Sequence, residues 1–293
     1  MKIYDSVLIT GGGGMLGHAL AEVLAVRGRE AVSLNRGELD VADHSALAKA
    51  FADYRPTLLL NCAAHTKVDL CEQESQKASA INGAAVGDMA ALCRASGAAL
   101  VHVSTDFVFD GSSRRPYLPG DPVNPLSAYG KSKLLGEQAI QENPPMRWLI
   151  VRTAWVYGRH GANFPRTMVQ AARGGKPLTV VDDQIGSPTY TVDLAGAILD
   201  LLDSGASGLW HVTNSDQTNW YDFAKATLEE FGIRAEISPI SSAEWAQKRP
   251  NSAIRPGYSV LDLSSLERQI GRSMRPWREG LADFRLAVER EGF

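Results

Sequence analysis

The stretch TGGGGMLG at residues 10–17 is the strongest indication of the fold. It follows the apolar run Ser6–Thr10 and precedes a segment of helical period. Gly11, Gly14 and Gly17 have the spacing G-x-x-G-x-x-G, which suits a turn without Cβ atoms where a pyrophosphate approaches the backbone. The phosphates would lie at a helix N-terminus, where free N–H groups and the helix dipole favour anions. A glycine triplet alone is a weak signal, but its place between a strand and a helix predicts a dinucleotide site.

The rest of the first half alternates short apolar runs with helix-length segments. The predicted strands are Ser6–Thr10, Glu30–Leu34, Thr57–Asn61, Leu100–Ser104 and Trp148–Arg152. Predicted helices begin near Met15, Ser45, Ser75 and Ser127. Strands that are apolar throughout indicate a parallel sheet covered on both faces. Because crossovers in such sheets are right-handed, the sequence predicts an α/β fold with a Rossmann-like doubly wound parallel sheet over residues 1–154.

From about residue 155 the alternation loosens. Glycine and proline pairs interrupt short segments, and a polar stretch runs from Ser238 to Gly257. We therefore expect residues 155–293 to form mainly a smaller C-terminal lobe that binds substrate. Some of its segments are expected to return to the main sheet, and Leu209–Thr213 is one candidate.

The overall composition excludes several classes of protein. Of the 293 residues 44% are hydrophobic and 22% charged, as in ordinary globular proteins, and the net charge is −3. This charge gives no electrostatic case for binding nucleic acid or an anionic membrane. Cys62, Cys71 and Cys93 have neither a metal-binding spacing nor an even number for disulfides, and the N-terminal apolar run is too short to span a membrane. We expect reduced thiols and a cytoplasmic location.

The end of the second predicted strand bears on cofactor choice. No acidic residue follows it at the position that usually binds the ribose; Arg36 stands there instead. An arginine can accommodate a 2′-phosphate, which favours NADPH over NADH. The alternative is that Arg36 is a solvated surface cation. Asp40, four residues on, would either cap the next helix or accept the adenine amino group.

The motif Y-x-x-x-K places Tyr129 and Lys133 on one face of a predicted helix, about 6 Å apart along its axis. A neighbouring ammonium favours the phenolate and lowers the tyrosine pKa, which suits acid–base chemistry. The motif is common by chance, but here it follows the fourth predicted strand. Thr105 stands at the end of that strand, where open α/β sheets bind ligands. It would bind a substrate carbonyl, or else only satisfy the backbone at the strand end.

The third predicted strand leads to the same edge of the sheet. Small side chains at Ala63 and Ala64 permit close passage of a cofactor. His65 follows them, with no acidic or cysteine pattern beside it. We therefore expect this histidine in the wall of a cofactor site rather than as a general base or a metal ligand.

Two blocks are more specific than the glycine turn: S-T-D-x-V-F-D-G at residues 104–111 and D-Q-x-G-x-P-T at residues 183–189. With the run R-P-x-x-S at residues 255–259, they resemble the dTDP-4-dehydrorhamnose reductase family of extended short-chain dehydrogenases. The resemblance extends from residue 6 to about residue 285 with the motifs in order.

The resemblance implies hydride transfer from a nicotinamide to C4 of dTDP-4-dehydro-β-L-rhamnose, a nucleotide sugar. Thr105, Tyr129 and Lys133 would be catalytic, with Lys133 also on the nicotinamide ribose. The cofactor contacts implied by the sequence and the resemblance are Gly11, Gly14, Met15, Leu16, Gly17, Arg36, Asp40, Val41, Ala63, Ala64, His65, Thr66, Tyr129 and Lys133. The expected substrate contacts are Thr105, Asp106, Tyr129, Trp155 and, for the diphosphate, Arg255.

Two departures from the family matter. Met15 stands where relatives often have glutamine, so a side-chain amide contact is lost. Glutamates that bind Mg²⁺ at a dimer interface in some relatives have no match, so no metal is assigned. A homodimer is expected independently of any metal. Two alternatives stay open: another sugar-nucleotide reductase or epimerase, or a non-catalytic subunit similar to the methionine adenosyltransferase β subunit.

Overall fold

The computed structural model describes residues 4–175 and 177–291. Its strands are β1 (Val7–Thr10), β2 (Ala31–Leu34), β3 (Leu58–Asn61), β4 (Ala99–Thr105), β5 (Trp148–Thr153), β6 (Val156–Tyr157), β7 (Leu178–Val181), β8 (Ile185–Gly186), β9 (Thr189–Tyr190), β10 (Gly208–His211), β11 (Thr218–Asn219) and β12 (Ile237–Ile240). Its α-helices are α1 (Met15–Val26), α2 (His44–Tyr54), α3 (Val68–Gln73), α4 (Ser75–Ser79), α5 (Ala85–Ser96), α6 (Ala128–Glu142), α7 (Phe164–Arg173), α8 (Thr191–Asp203), α9 (Trp220–Glu230), α10 (Ser242–Lys248), α11 (Ser264–Ile270) and α12 (Trp277–Glu291).

Six strands form one sheet in the order β10-β5-β4-β3-β1-β2, and all five pairings are parallel. The five predicted strands all lie in it, with ends within one residue of those expected. The sixth, β10, pairs with β5 and confirms the return of the segment near Leu209. The sheet therefore uses residues from both sides of position 154.

Helices cover the sheet on both faces because successive side chains of a buried strand alternate between them. Ile9 of β1 packs with α1 and α8 on one face. Leu8, its neighbour, packs with α2 and α5 on the other. The predicted doubly wound α/β fold is confirmed. Helices α1, α2, α4 and α6 begin within one residue of the predicted starts, and the short α3, which was not predicted, precedes α4.

The remaining segments surround an aromatic cluster that includes Tyr157, Tyr190, Phe223, Trp277 and Phe284. Three two-stranded sheets lie in this part of the chain, pairing β6 with β9, β7 with β12 and β8 with β11; β6 and β9 contribute Tyr157 and Tyr190 to the cluster. The D-Q-x-G-x-P-T block lies beside the residue that follows the end of β5 by two positions, since the Thr189 N–H donates to the Trp155 carbonyl at 3.2 Å. Among the helices of the described ranges, none is both long and apolar enough to cross a membrane.

Candidate active site

The glycine turn lies between β1 and α1 and packs tightly on its surroundings. Gly11 has φ of +68°, and a Cβ there would lie 2.6 Å from the Ala63 nitrogen. A Cβ on Gly17 would lie 2.6 Å from the Gly11 carbonyl oxygen. Gly14 is the N-cap of α1, and no side chain of the described residues caps this end. The N–H groups of the first turn, from Met15 onward, are thus suited to bind an anion.

Gly17→Ala is expected to weaken NADPH binding by about tenfold or more, since overpacking of this kind costs roughly 1–3 kcal/mol. Calorimetric titration with NADPH measures the change. The matched control is Gly196→Ala in α8, where an added Cβ meets no described atom within 4 Å. Equal affinities in the two variants would contradict a cofactor role for the turn.

The loop after β3 is fixed by buried amides. The Ala63 N–H donates to Asn61 Oδ1 at 3.1 Å. The Asn82 side chain accepts from the His65 N–H at 2.8 Å and donates to the His65 carbonyl at 3.1 Å. It also donates to Ser132 Oγ at 2.9 Å, which joins the loop to α6. Ala63, Ala64 and His65 therefore lie in one wall of the cleft, next to the glycine turn.

The premise that no acid accompanies His65 was wrong. Its Nε2 lies 2.9 Å from Glu74 Oε2, and Lys77 contacts the same carboxylate. The nine-residue spacing between His65 and Glu74 is not a recognisable motif, because it depends on how α3 turns back on the loop. The ring is buried, whereas Thr66 is exposed.

Helix α6 presents the two motif residues to the end of β4. Ser127 caps the helix through a hydrogen bond that its Oγ accepts from the Gly130 N–H at 3.1 Å. The Tyr129 hydroxyl shares a hydrogen bond with the Thr105 side chain, so the structure brings these two predicted residues together. Lys133, one turn further, is 2% exposed. Its Nζ lies 3.2 Å from His102 Nε2.

Burial sets the protonation of this cluster. It raises the pKa of Tyr129 well above the usual value for tyrosine, although the hydrogen bond with Thr105 acts in the opposite direction. It lowers the pKa of Lys133 to about 8. Tyr129 is therefore protonated at neutral pH and can act as a proton donor.

Asp106 lies beside the Thr105 hydroxyl. Thr105 Oγ1 donates to Asp106 Oδ1 at 3.0 Å. Burial raises the pKa of Asp106 to about 6, with hydrogen bonds from Ser259 and Thr105 opposing the shift. Ser259 belongs to the late R-P-x-x-S run, so this late part of the chain reaches the end of β4. The structure thus places Asp106 next to Thr105, and its contact with a substrate stays a prediction.

The residues after β2 lie at the surface. The Arg36 side chain is 72% exposed, and its guanidinium lies 4.0 Å from Asp40 Oδ2. One of the two alternatives for Asp40 was that it caps α2, and this alternative was wrong. Asp43 caps the helix, accepting from the N–H groups of Ser45 and Ala46. Asp40 instead accepts from the Ala42 N–H at 3.1 Å, which closes the turn in which Val41 is buried.

Trp155 occupies a strained and well-packed position after β5. Its φ is +47°, a conformation that favours glycine. The indole stacks on Trp220, with ring centroids 3.7 Å apart. On Gly186, a Cβ would lie 2.6 Å from the Trp155 ring, so the glycine of the D-Q-x-G-x-P-T block makes room for this side chain. Trp220 was not predicted, since its partner is 65 positions away.

Arg255 contacts helix α3. Its Nη2 lies 2.9 Å from Asp69 Oδ1 of α3, and Nη1 donates to the Ala253 carbonyl at 3.0 Å. The structure therefore gives Arg255 an acidic protein partner, Asp69. For a metal, the described residues contain no group of three or more His, Cys, Asp or Glu side chains suitably placed.

A buried ion pair lies behind the cluster and was also missed. Arg152 of β5 donates to Glu137 of α6 through Nη2 at 2.7 Å and Nε at 3.0 Å. Ser104 Oγ donates to the same carboxylate at 2.5 Å. Glu137 stands one turn beyond Lys133, so the pair fixes the part of α6 that carries the lysine.

The sheet, the glycine turn and the cluster of Thr105, Tyr129 and Lys133 define a Rossmann-type oxidoreductase. A family model described as the RmlD substrate binding domain matches residues 5–289. The chain belongs to this family, and the resemblance to dTDP-4-dehydrorhamnose reductases is confirmed.

Three relatives illustrate the match. The spore coat polysaccharide biosynthesis protein SpsK of Bacillus subtilis is 42% identical over 278 residues, covering 95% of this chain and 96% of that protein. A dTDP-4-dehydrorhamnose reductase structure from Clostridium acetobutylicum has a TM-score of 0.91 and 38% identity, covering 97% of this chain and 99% of the other. The Bacillus anthracis dTDP-4-dehydrorhamnose reductase, solved in complex with NADP, also has a TM-score of 0.91, with 34% identity and coverage of 96% and 99%.

Proposed function

We propose that this protein reduces the C4 ketone of dTDP-4-dehydro-β-L-rhamnose to give dTDP-β-L-rhamnose, with NADPH as the reductant, in dTDP-rhamnose biosynthesis. The observation that carries the proposal is the contact of Thr105 with protonated Tyr129 at the sheet edge beside the glycine turn. Membership of the family and the reductases among its relatives support the choice of substrate.

The residues present fit a dinucleotide. The turn around Gly11 and Gly17 is a cradle that a Cβ would fill, and it ends at the uncapped N-terminus of α1. Met15 and Leu16 would line the phosphates, Asp40 and Val41 the adenosine, and the loop from Ala63 to Thr66 the middle of the cofactor. When bound, the reduced nicotinamide supplies the hydride.

The chain's own residues then supply the proton and hold the substrate. Thr105 donates a hydrogen bond to the C4 carbonyl oxygen, exchanging its present acceptor on Asp106. Tyr129 transfers its hydroxyl proton to that oxygen as negative charge develops there. The Lys133 ammonium would stabilise the phenolate that remains, and it would hold the nicotinamide ribose of a bound cofactor.

Substrate recognition falls to the smaller lobe. The Trp155 indole offers an apolar face and one N–H donor to the sugar. Arg255 would bind the diphosphate by exchanging Asp69 for a phosphate oxygen, since arginine pairs with both groups through the same donors. Most of residues 155–293 form this lobe, apart from β10, which belongs to the main sheet, and α8 and α11, which pack in the core of that sheet.

Assays with dTDP-, UDP- and GDP-linked 4-ketosugars, followed by NADPH absorbance, test the proposal. Stoichiometric oxidation with the dTDP-6-deoxy-4-ketosugar is the expected result. Interconversion without net oxidation would replace the proposal by an epimerase. Absence of turnover with every sugar would replace it by a non-catalytic subunit.

Arg36→Ala is expected to raise KM for NADPH by about ten- to a hundredfold, because a hydrogen bond to a charged group contributes roughly 1.5–3 kcal/mol. KM for NADH should stay within about twofold. The control Arg94→Ala on α5 makes the same change in net charge at an exposed arginine. If Arg36→Ala leaves the NADPH/NADH ratio of kcat/KM unchanged, Arg36 is a surface cation without a role in selectivity.

We further propose a cytoplasmic location and a homodimer. The three cysteines are free thiols in the described structure, as a reducing compartment requires. The dimer rests on family resemblance, and light scattering of the purified protein measures it directly.

A further inference from the structure

A row of buried polar side chains runs from β1 to α6 directly behind the proposed site. Thr10 Oγ1 donates to Asn61 Oδ1 at 2.8 Å. Asn61 Nδ2 lies 3.0 Å from His102 Nδ1, and His102 Nε2 lies 3.2 Å from Lys133 Nζ. None of the four residues is more than 2% exposed. Their hydrogen bonds are therefore made within the protein, and each atom must be either donor or acceptor.

The direction of this row is fixed at Asn61. The Ala63 backbone N–H can only donate, so the Asn61 atom that faces it is the oxygen. The Thr10 hydroxyl donates to the same oxygen. The amide NH₂ of Asn61 must then face His102, and it donates to Nδ1. In a neutral imidazole whose Nδ1 accepts, the proton is on Nε2.

His102 is held neutral by its surroundings. Burial and the neighbouring Lys133 lower the pKa of His102 well below its ordinary value. Gly136 allows α6 to lie close to the ring, since a Cβ there would be 3.3 Å from His102 Nε2. The imidazole thus fills the space between β4 and α6 without a charge.

The Nε2–H group faces Lys133 Nζ. An uncharged amine can accept this hydrogen bond, whereas an ammonium has only donors. The contact therefore favours neutral Lys133. Glu137, one turn along α6, favours the ammonium instead, but its carboxylate is paired with Arg152. The Cys62 thiol, after β3, also interacts with the lysine; burial raises its pKa to about 12 and leaves it uncharged.

We propose that His102 is a positioning residue for the reduction: fixed by Asn61 with its proton on Nε2, it opposes a positive charge on Lys133. The inference rests on the proposed function. Its consequence is that Lys133 changes charge near neutral pH rather than far above it. The stabilisation that the ammonium gives to the Tyr129 phenolate then depends on pH within the working range of the enzyme.

The tautomer is tested on the protein alone, without cofactor or substrate. Spectra of protein labelled with ¹⁵N-histidine distinguish a protonated from an unprotonated ring nitrogen, and the spectrum of His102→Gln assigns the signals. We expect Nε2 of His102 to be protonated and Nδ1 not, from pH 6 to pH 8. Protonation at Nδ1, or at both nitrogens, would overturn the inference whatever the activity of the enzyme.

Asn61→Asp nearly keeps the shape of the side chain but replaces the hydrogen-bond donor that faces His102 Nδ1 by an acceptor. Its second carboxylate oxygen would accept from Nδ1–H, so Nε2 would become an acceptor for the Lys133 ammonium. We expect the ¹⁵N pattern to invert and the alkaline limb of kcat/KM to move to higher pH. An unchanged tautomer in this variant contradicts the role assigned to Asn61.

His102→Phe removes the donor while keeping an aromatic ring. The fall of kcat/KM at alkaline pH should then occur about one pH unit higher. The reason is that a hydrogen bond to the neutral amine of Lys133 no longer opposes its ammonium form. His102→Gln can accept from Asn61 and donate to Lys133, so it should keep the wild-type limb. The surface control His44→Gln should also match wild type. Identical limbs in His102→Phe and wild type would refute the proposal, and if His102→Phe does not fold, Asn61→Asp decides it.

Failure of the proposed function is distinguishable from failure of this inference. A wild-type protein that reduces none of the 4-ketosugars would refute the proposed function, while the ¹⁵N pattern would still identify the tautomer of His102. An active enzyme in which Nδ1 of His102 is protonated would refute only the role inferred for His102.

Discussion

Tyr129→Phe is expected to lower kcat by about 10²–10⁴-fold, the usual contribution of a positioned general acid. The substitution deletes the hydroxyl that shares a hydrogen bond with Thr105 and leaves the ring against Phe107, with centroids 5.5 Å apart. The cleft should keep its shape, so the affinity for NADPH should change by less than about threefold. Stopped-flow absorbance of NADPH oxidation with the dTDP-linked ketosugar measures the chemical step, and calorimetry measures cofactor binding.

The matched control is Tyr54→Phe, which removes a hydroxyl from an exposed tyrosine at the end of α2. This variant should retain wild-type turnover. Turnover within about tenfold of wild type in Tyr129→Phe would exclude Tyr129 as the proton donor. A parallel loss of NADPH affinity would instead show that the hydroxyl acts in cofactor binding.

The protonation state of Tyr129 agrees with the proposed reduction. Burial raises this pKa, so the hydroxyl carries its proton at neutral pH before the ketone binds. A base for alcohol oxidation would need the phenolate already in place. The site therefore begins in the state that the reductive direction requires.

The fold was predictable because its determinants are local. Buried parallel strands are apolar along their whole length, and neighbours such as Leu8 and Ile9 serve opposite faces of one sheet. Tyr129 and Lys133 lie on one helix face at a four-residue spacing, and Thr105 stands at a strand end. These relations are contained in short stretches of sequence, so the candidate cluster could be located without the structure.

The contacts that were missed join residues far apart along the chain. Asn61 and His102 meet because they are register partners on adjacent strands, 41 positions apart. Trp155 and Trp220 stack although 65 positions separate them. Strand order and register determine such pairs, and no local spacing encodes them. The polar residue at the centre of the apolar strand β4 was the one available signal for His102, because a buried polar side chain requires a partner.

Arg152→Met is expected to lower the free energy of unfolding by about 3–5 kcal/mol, since it leaves the Glu137 carboxylate buried without its cation. Side chains of this pair are 4% and 1% exposed. Urea denaturation at pH 7, followed by circular dichroism, measures the change. The matched control is Arg115→Met, whose partner Asp121 pairs with it at the surface; that substitution should cost less than about 1 kcal/mol.

The double variant Glu137→Leu/Arg152→Met separates pairing from packing. Removing both charges also removes the desolvation cost of the pair, so the double variant should be more stable than Arg152→Met by about 2 kcal/mol or more. If the two are equally unstable, the guanidinium acts through its packing over Phe109, with its carbon 5.0 Å from the ring centroid. Because the Glu137 carboxylate favours the ammonium of Lys133, the double variant, which lacks this carboxylate, should also lower kcat, whereas Arg152→Met keeps it. A double variant that regains stability but not turnover would show that the carboxylate supports the ammonium of Lys133, in opposition to His102.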